Sequence, residues 1–217
     1  MAEPAHAIVP ALEGIAGAGR YGRSDGDAGV IIDEVIAAGL ASIVARRDRS
    51  AALAEAVGSA FGMDLPAAGR WAQGDRLCGL SLVWSGPGRW LACRIPAPAE
   101  GMEDYLRARC GSLAAIVDQS HAGMLLNATG RRIRDALAKG LPIDLDPRAF
   151  GIGHAAVTAV AHVGVHLWQI NELPTYRLLV PRSYAGSFWH WLSASAAEYG
   201  LELDAIGAHV RARPTGR

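Results

Sequence analysis

The 217-residue chain is poor in cysteine, lacks a surplus of either charge and has no long apolar segment. Its three cysteines, Cys78, Cys93 and Cys110, are far apart and form no CxxC pair, so neither a disulfide framework nor a structural zinc site is indicated. Basic and acidic side chains number 21 each, whereas nucleic-acid binders usually carry a basic stripe. No apolar run approaches the roughly 20 residues that span a bilayer. These absences predict a protein of the reducing cytoplasm.

Glycine is plentiful, with 26 residues, and two glycine motifs near the N-terminus imitate functional sites. Residues 17–22 spell GxGxxG and residues 22–26 spell GxSxG. A dinucleotide site needs a strand before its glycines and a helix after them, and a nucleophile elbow needs a strand-to-helix turn. Residues 1–29 are rich in alanine and glycine and offer neither setting. Both motifs are therefore interpreted as chance, and the region is predicted to be an extended or flexible arm.

Apolar periodicity predicts a first group of strands and helices after this arm. Leu53 and Phe61 share one face of a helix that Asp48 or Ser50 caps and that Gly62 ends. The other predicted elements are strands at 30–32, 41–47, 79–84, 90–95 and 113–117, a loop at 67–77 and a helix at 100–109.

A second group follows in a similar order. Ile133 and Leu137 lie on one face of a short helix, and Gly140 suits a left-handed cap after it. Residues 155–168 are rich in valine, which predicts a strand with a bend at Gly164. The remaining predicted elements are strands at 122–128, 176–180 and 201–206 and a long helix at 184–199.

The order of elements repeats along the chain. A strand followed by a helix begins at Ala41 and again at Ala122, 81 residues later, and a hairpin and a second helix follow each time. Neither copy has enough strands to cover both faces alone, so we predict an α+β fold of duplicated split-βαβ halves that share or exchange strands. The predicted organisation is an arm at 1–29, a first half at 30–116, a second half at 117–206 and a flexible tail at 207–217.

Side chains that are capable of chemistry do not form a catalytic constellation. Ser120 and His121 are adjacent, so on a strand they point to opposite faces and cannot pair. His162 and His166 would lie about 13 Å apart along a strand, too far to share a metal. Asp118 is interpreted as a residue that stabilises a turn. We therefore predict no catalytic, cofactor-binding or metal site in this chain.

Six tryptophans are present, and some lie beside the apolar stripes rather than within them. Trp84 and Trp90 flank the predicted hairpin turn next to Arg89, and Trp189 lies about 100° from Phe188 around its helix. Tryptophan and arginine are typical of interface hot spots. We predict that Trp84, Arg89, Trp90 and Trp189 belong to a subunit interface, and a position at the edge of the core remains the alternative.

Five segments of the sequence are distinctive: GPGRWL at 86–91, VDQSHAG at 117–123, LAKGLPIDLDPRAF at 137–150, AHVGVHLWQ at 161–169 and LLVPRSYAGSFWHWL at 178–192. In order and spacing they resemble the gamma subunit family of heterotetrameric sarcosine oxidase. More distantly, DQSHAGMLLNATG at 118–130 resembles a segment of the folate-dependent aminomethyltransferases, the glycine-cleavage T-protein group. The folate-binding fold of that group is itself a duplication with exchanged strands, which agrees with the repeat.

The resemblance implies a subunit of an αβγδ complex that oxidatively demethylates sarcosine to glycine. FAD, FMN, NAD, zinc and tetrahydrofolate are then expected on the other subunits, and the gamma chain is expected to have a structural role in assembly. Aminomethyltransferases use a carboxylate near the folate, and the corresponding residues 150–165 contain no aspartate or glutamate. Independent one-carbon transfer by this chain is therefore not expected.

Two further hypotheses remain open at this point. The chain could be a gamma-like subunit of a related complex that oxidises another N-methyl amino acid, such as an N-methylglutamate dehydrogenase. It could also be a free-standing folate-binding protein of one-carbon metabolism. The sequence does not separate these hypotheses, because the choice of substrate is expected to lie in a different chain.

Overall fold

Two mainly antiparallel β-sheets pack face to face in the middle of the molecule. The computed structural model describes residues 9–75 and 79–204. The strands are β1 (Gly19–Tyr21), β2 (Val30–Glu34), β3 (Gly39–Ala45), β4 (Trp71–Gln73), β5 (Leu80–Gly86), β6 (Arg89–Arg94), β7 (Ala114–Asp118), β8 (Gly123–Thr129), β9 (Ala155–Val160), β10 (Val163–Asn171), β11 (Thr175–Pro181) and β12 (Leu201–Leu203). The helices are α1 (Ser50–Phe61), α2 (Met102–Cys110), α3 (Ile133–Ala138) and α4 (Ala185–Ala196), with one-turn 3-10 helices at Gly111–Leu113, Arg182–Tyr184 and Ala197–Tyr199.

The first sheet has five strands in the order β4-β5-β6-β3-β7. Helices α1 and α2 cover its outer face, and Leu53 and Leu106 are fully buried between the helices and the sheet. The predicted end of α1 is confirmed, because Gly62 adopts a left-handed conformation with a φ of 65°. The predicted cap at Asp48 or Ser50 is wrong, since no side chain forms a capping hydrogen bond at the start of this helix.

The second sheet has seven strands in the order β1-β12-β2-β8-β11-β10-β9. Helices α3 and α4 cover its outer face, where Leu126, Leu137 and Phe188 are buried. Strand β2 comes before the whole first sheet in the chain, yet it lies between β8 and β12 of the second sheet. The sequence order had suggested a first half that includes these residues. The exchange of a strand between the halves is therefore confirmed.

The duplication is visible in the order of elements. Strand β3 to strand β7 runs strand, helix, three strands, helix, strand, and β8 to β12 runs through the same series. The order β4-β5-β6-β3-β7 in the first sheet corresponds to β9-β10-β11-β8-β12 in the second, with β2 inserted before β12. The fold is therefore two copies of one unit, and one copy has been widened by an inserted strand.

Three local predictions need correction. Strand β4 lies within the predicted loop at 67–77, and it completes the correspondence between the two halves. The predicted strand at 155–168 is a hairpin, because Ala161 and His162 adopt φ values of 48° and 71° and reverse the chain. Gly140 is not left-handed. It is required for space instead, since a Cβ atom there would lie 2.7 Å from the Trp191 ring.

Part of the N-terminal arm is packed against the second sheet. The buried Glu34 carboxylate accepts hydrogen bonds from the backbone N–H groups of Ala11 at 2.5 Å and Leu12 at 3.1 Å. Strand β1 then pairs with β12 at the edge of the sheet. The predicted tail at 207–217 lies outside the described residues. Among the described helices, none has the length and apolar character needed to cross a membrane.

Candidate functional site

Polar side chains line two cavities in the layer between the two sheets. Apolar side chains from both sheets fill most of it, including Leu40, Val83, Leu125 and the fully buried Trp168. Two cavities open within this layer, and each takes lining residues from both sheets. They are the candidate sites of this chain, because ligand sites are concave and are lined by a few polar groups among apolar ones.

The first cavity, called here the histidine cavity, has a volume of about 570 Å³ and a mostly apolar lining. Its central polar contact joins the sheets, with 2.7 Å between Ser85 Oγ on β5 and His166 Nε2 on β10. Burial lowers the pKa of His166 below its usual value, which favours the neutral imidazole. No carboxylate hydrogen bonds to His166 within the described parts of the chain, so the pair lacks the third group that orients a catalytic histidine.

The second cavity, called here the arginine cavity, has a volume of about 390 Å³. Arg177 on β11 extends into it, and its Nε donates a hydrogen bond to Asn127 Oδ1 at 3.0 Å. Asn127 Nδ2 in turn donates to Asp33 Oδ2 at 3.0 Å. Burial raises the pKa of Asp33 to about 7 and the pKa of the Cys93 thiol to about 11. Among its described lining residues, the cavity thus has one cation and a thiol that is not ionised near neutral pH.

The two cavities occupy equivalent positions of the duplicated fold. Strand pairing shows this, because Ser42 lies opposite Leu91 in the first sheet as Asn127 lies opposite Arg177 in the second. A neighbouring row of three positions in the arginine cavity corresponds to three in the histidine cavity: Gln73 to Val157, Ser81 to His166, and Cys93 to Leu179. The same backbone arrangement therefore forms an apolar cavity once and a polar, cationic cavity once.

The side chains considered as candidates for chemistry lie in turns, between strands and in the histidine cavity. Asp118 Oδ1 accepts a hydrogen bond from the Ser120 backbone N–H at 2.8 Å, which confirms its role in a turn. Ser120 Oγ contacts the Leu40 backbone N–H at 3.0 Å and so links β3 to the loop before β8. His162 is exposed in a tight turn, whereas His166 faces the histidine cavity. Across the described residues, no group of three or more histidine, cysteine or acidic side chains is arranged to hold a metal.

Two of the four residues predicted at an interface lie in the core. Trp189 is 6% exposed and packs edge-on against Tyr21, with 5.2 Å between ring centroids. Trp90 is 7% exposed, and its Nε1 donates to the Pro66 carbonyl at 2.9 Å. These rings therefore offer almost no surface to a partner. The structure places them inside the chain and not at the exposed positions that the sequence suggested. Trp84 is partly exposed and Arg89 is exposed, and the interface prediction is carried forward on these two.

Sequence reasoning missed the pairing of Ser85 with His166 and the cavity position of Arg177. These residues lie far apart in the chain, and strand register brings them to the layer between the sheets. The repeat in the sequence contained a signal that could have revealed Arg177. Aligning the two halves strand by strand sets a charged residue, Arg177, against an apolar one, Leu91.

Comparison with known proteins gives the family. The model of the sarcosine oxidase gamma subunit family matches residues 46–198, which is more than half of the chain. The sarcosine oxidase subunit gamma of Corynebacterium sp. strain U-96 is 32% identical over 145 residues, which cover 66% of this chain and 69% of that protein. This chain belongs to the sarcosine oxidase gamma subunit family. The subunit gamma of Corynebacterium sp. strain P-1 is 31% identical over 153 residues, 70% of this chain and 71% of that protein.

Solved structures extend the family relationship to the fold. A chain of the heterotetrameric sarcosine oxidase from Corynebacterium sp. U-96, solved in complex with pyrrole 2-carboxylate, superposes with a TM-score of 0.68. It is 30% identical, and the match covers 80% of this chain and 87% of that chain. Aminomethyltransferase T of the glycine cleavage system from Bartonella henselae superposes with a TM-score of 0.61 at 13% identity, over 82% of this chain and 48% of that chain. The family fold is thus the duplicated fold predicted from the repeat.

Proposed function

We propose that this chain is the gamma subunit of a heterotetrameric sarcosine oxidase and that it has a structural role in the assembly. The observation that carries the proposal is the match to a chain of such a complex over 80% of the present chain and 87% of the other. A match of that extent supports retention of the whole fold and not only of one half. The complex would oxidatively demethylate sarcosine to glycine in the cytoplasm.

The alpha, beta and delta subunits are the proposed partners. FAD, FMN, NAD, zinc and tetrahydrofolate would be held by these partners, and electrons from the amine would not pass through the gamma chain. Two features of this chain support the proposal that the chemistry takes place on the partner subunits. Residues 150–165 contain no aspartate or glutamate to assist one-carbon transfer, and the Ser85–His166 contact has no orienting carboxylate among the described residues.

Co-purification tests the proposal. An affinity tag on this chain, expressed in its native host, is expected to recover three further polypeptides together with a flavin absorption spectrum. The purified assembly is expected to oxidise sarcosine. The same tagged chain expressed alone is the control, and it is expected to show neither flavin absorbance nor amine oxidation. Sarcosine turnover by the isolated chain, or recovery of that chain without partners from the native host, would overturn the proposal.

The same material distinguishes the other two hypotheses. Faster oxidation of N-methylglutamate than of sarcosine by the assembly would assign the chain to a related N-methyl amino acid dehydrogenase. Calorimetric titration of the isolated chain with tetrahydrofolate addresses the free-standing folate protein. Tight binding by the isolated chain would favour that hypothesis over an assembly role.

A further inference from the structure

The two equivalent cavities differ most in one row of paired residues that crosses neighbouring strands of each sheet. In the first sheet this row carries Leu91 and Ser42, neither of which is charged. In the second sheet the corresponding positions are Arg177 and Asn127, and the inserted strand β2 places Asp33 beside Asn127. Since the fold accepts leucine at the position equivalent to Arg177, a guanidinium group is not a requirement of the backbone. Arg177 is partly buried, and withdrawing a charge from water costs free energy, so its presence in one copy calls for another explanation.

Arg177 is oriented by its neighbours, the Cys93 thiol among them, and the Asp33 carboxyl group attracts it electrostatically. Its Nε is held by Asn127, and its Cζ lies 6.0 Å from the centroid of the fully buried Trp168 ring. Among the described residues Arg177 forms no salt bridge. Burial lowers its pKa, which means that the charged form is imperfectly solvated. The guanidinium is therefore in a position to be stabilised by an anion that enters the cavity.

The remaining lining indicates what kind of anion fits. Trp71, Ile95 and Ile170 provide apolar surface, while Gln73 and Ser81 provide hydrogen-bonding groups on the opposite sheet. A cavity of about 390 Å³ has room for about a dozen water molecules, and hence for a ligand the size of an amino acid or a small aromatic acid. Such a ligand would place its apolar body against the Trp71 ring and the two isoleucines and its charged end at the guanidinium.

We propose that the arginine cavity is a binding site for a small carboxylate with an apolar body, held by the Arg177 guanidinium and by Ser81. Guanidinium groups match carboxylates through two parallel hydrogen bonds, which distinguishes this ligand class from neutral molecules of the same shape. The proposal is independent of the subunit role, because the residues that would hold the ligand belong to this chain.

Binding of benzoate to the purified full-length chain tests the proposal. Benzoate combines a ring with one carboxylate, and benzamide is its neutral counterpart of nearly equal shape. Titration followed by calorimetry or NMR is expected to show saturable binding of benzoate and markedly weaker binding of benzamide. Equal binding of the two compounds, or no saturable binding of benzoate, would overturn the proposal. Inorganic phosphate that binds as well as benzoate would also overturn it, since the site would then select anions without regard to the carboxylate.

The duplication supplies matched variants for this experiment. Arg177→Leu introduces the residue that the other copy carries at this position, so it is expected to fold, and it should weaken benzoate binding about 10- to 100-fold. Ser81→Leu fills the cavity from the opposite sheet and should abolish binding while Arg177 stays intact. His166→Ser makes the equivalent exchange in the histidine cavity and should leave the affinity unchanged. Should Arg177→Leu not fold, full benzoate affinity in Ser81→Leu would still refute the site.

Discussion

Asp33 shows how a single buried acid couples the fold to pH. Its carboxyl group is 3% exposed and is hydrogen-bonded by Asn127. Burial is the main reason that its pKa rises from 3.8 to about 7, and the nearby Asp204 adds to the effect. Because the folded chain holds this proton more tightly than the unfolded chain, folding is favoured most at acidic pH.

We predict that the Asp33 contribution to stability is present below about pH 4 and is lost as the pH rises from about 4 to about 7. A pKa difference of about three corresponds to about 4 kcal/mol at most. Urea unfolding of the full chain at pH 5 and at pH 8 measures it. Asp33→Asn should flatten the difference between the two pH values, because an amide does not titrate. An unchanged pH dependence in this variant would assign the effect to other groups.

Gly140 has a different kind of constraint, which is steric. A Cβ atom at this position would lie within 2.7–2.8 Å of three atoms of the Trp191 indole. We predict that Gly140→Ala lowers the free energy of unfolding by about 1–3 kcal/mol, the usual cost of overpacking. Gly164→Ala is the matched control, since nothing lies within 4 Å of its added Cβ and its φ is not left-handed. Thermal unfolding of both variants makes the comparison, and equal melting temperatures would contradict the prediction.

At the level of single elements, long periodic segments could be predicted and short or irregular ones could not. Helix α1 and the hairpin of β5 and β6 follow directly from apolar spacing and from a glycine-rich turn. Strand β4 has three residues, too few to show alternation. The turn between β9 and β10 consists of Ala161 and His162, which carry none of the usual turn signals although both have positive φ. Such positions are fixed by the strands on either side.

Strand β8 lies in the interior of the seven-stranded sheet, between β2 and β11. Leu126 on this strand is fully buried against the outer helices. We predict that Leu126→Ala costs about 2–5 kcal/mol of stability, through lost burial and the cavity that remains. Leu173→Ala serves as the reference, because Leu173 is 76% exposed and its truncation should change stability by less than about 0.5 kcal/mol. Chemical denaturation that gives similar losses for both would argue against this position for β8.

At the scale of the whole molecule, the repeat predicted two halves and an exchanged strand but not the cavities. The cavities depend on which face of each sheet meets the other sheet, and on the register that sets Arg177 beside Asn127. Neither can be obtained from one sequence, since a shift of one residue turns every side chain of a strand to the other face. The burial of Trp90 and Trp189, which the sequence suggests as interface residues, could not be predicted for the same reason. An aromatic residue beside an apolar stripe is compatible with burial once a further segment covers it.

For assembly, we predict that the exposed tip of the β5–β6 hairpin contributes more than the buried rings. Replacing Arg89 by alanine should reduce the recovery of partner chains in co-purification while the isolated chain keeps its melting temperature, because Arg89 is exposed whereas Trp84 packs partly against the first core. Trp189→Ala should behave in the opposite way and cost the isolated chain about 3–5 kcal/mol, because this ring belongs to the core. If the tip variant recovers every partner at the normal level, the hairpin is not an interface.

The insertion of β2 between β8 and β12 has a consequence for how the protein is made. Strands β3 to β7 are contiguous in the chain, so the first sheet has all its parts once Asp118 has left the ribosome. Strand β2 is synthesised earlier still, yet both of its neighbours are synthesised after that sheet is complete. It therefore has no partner strand until β8 (Gly123–Thr129) has been synthesised, and an unpaired strand of this kind favours misassociation of chains. A chain released early would carry a finished first sheet beside an open second one.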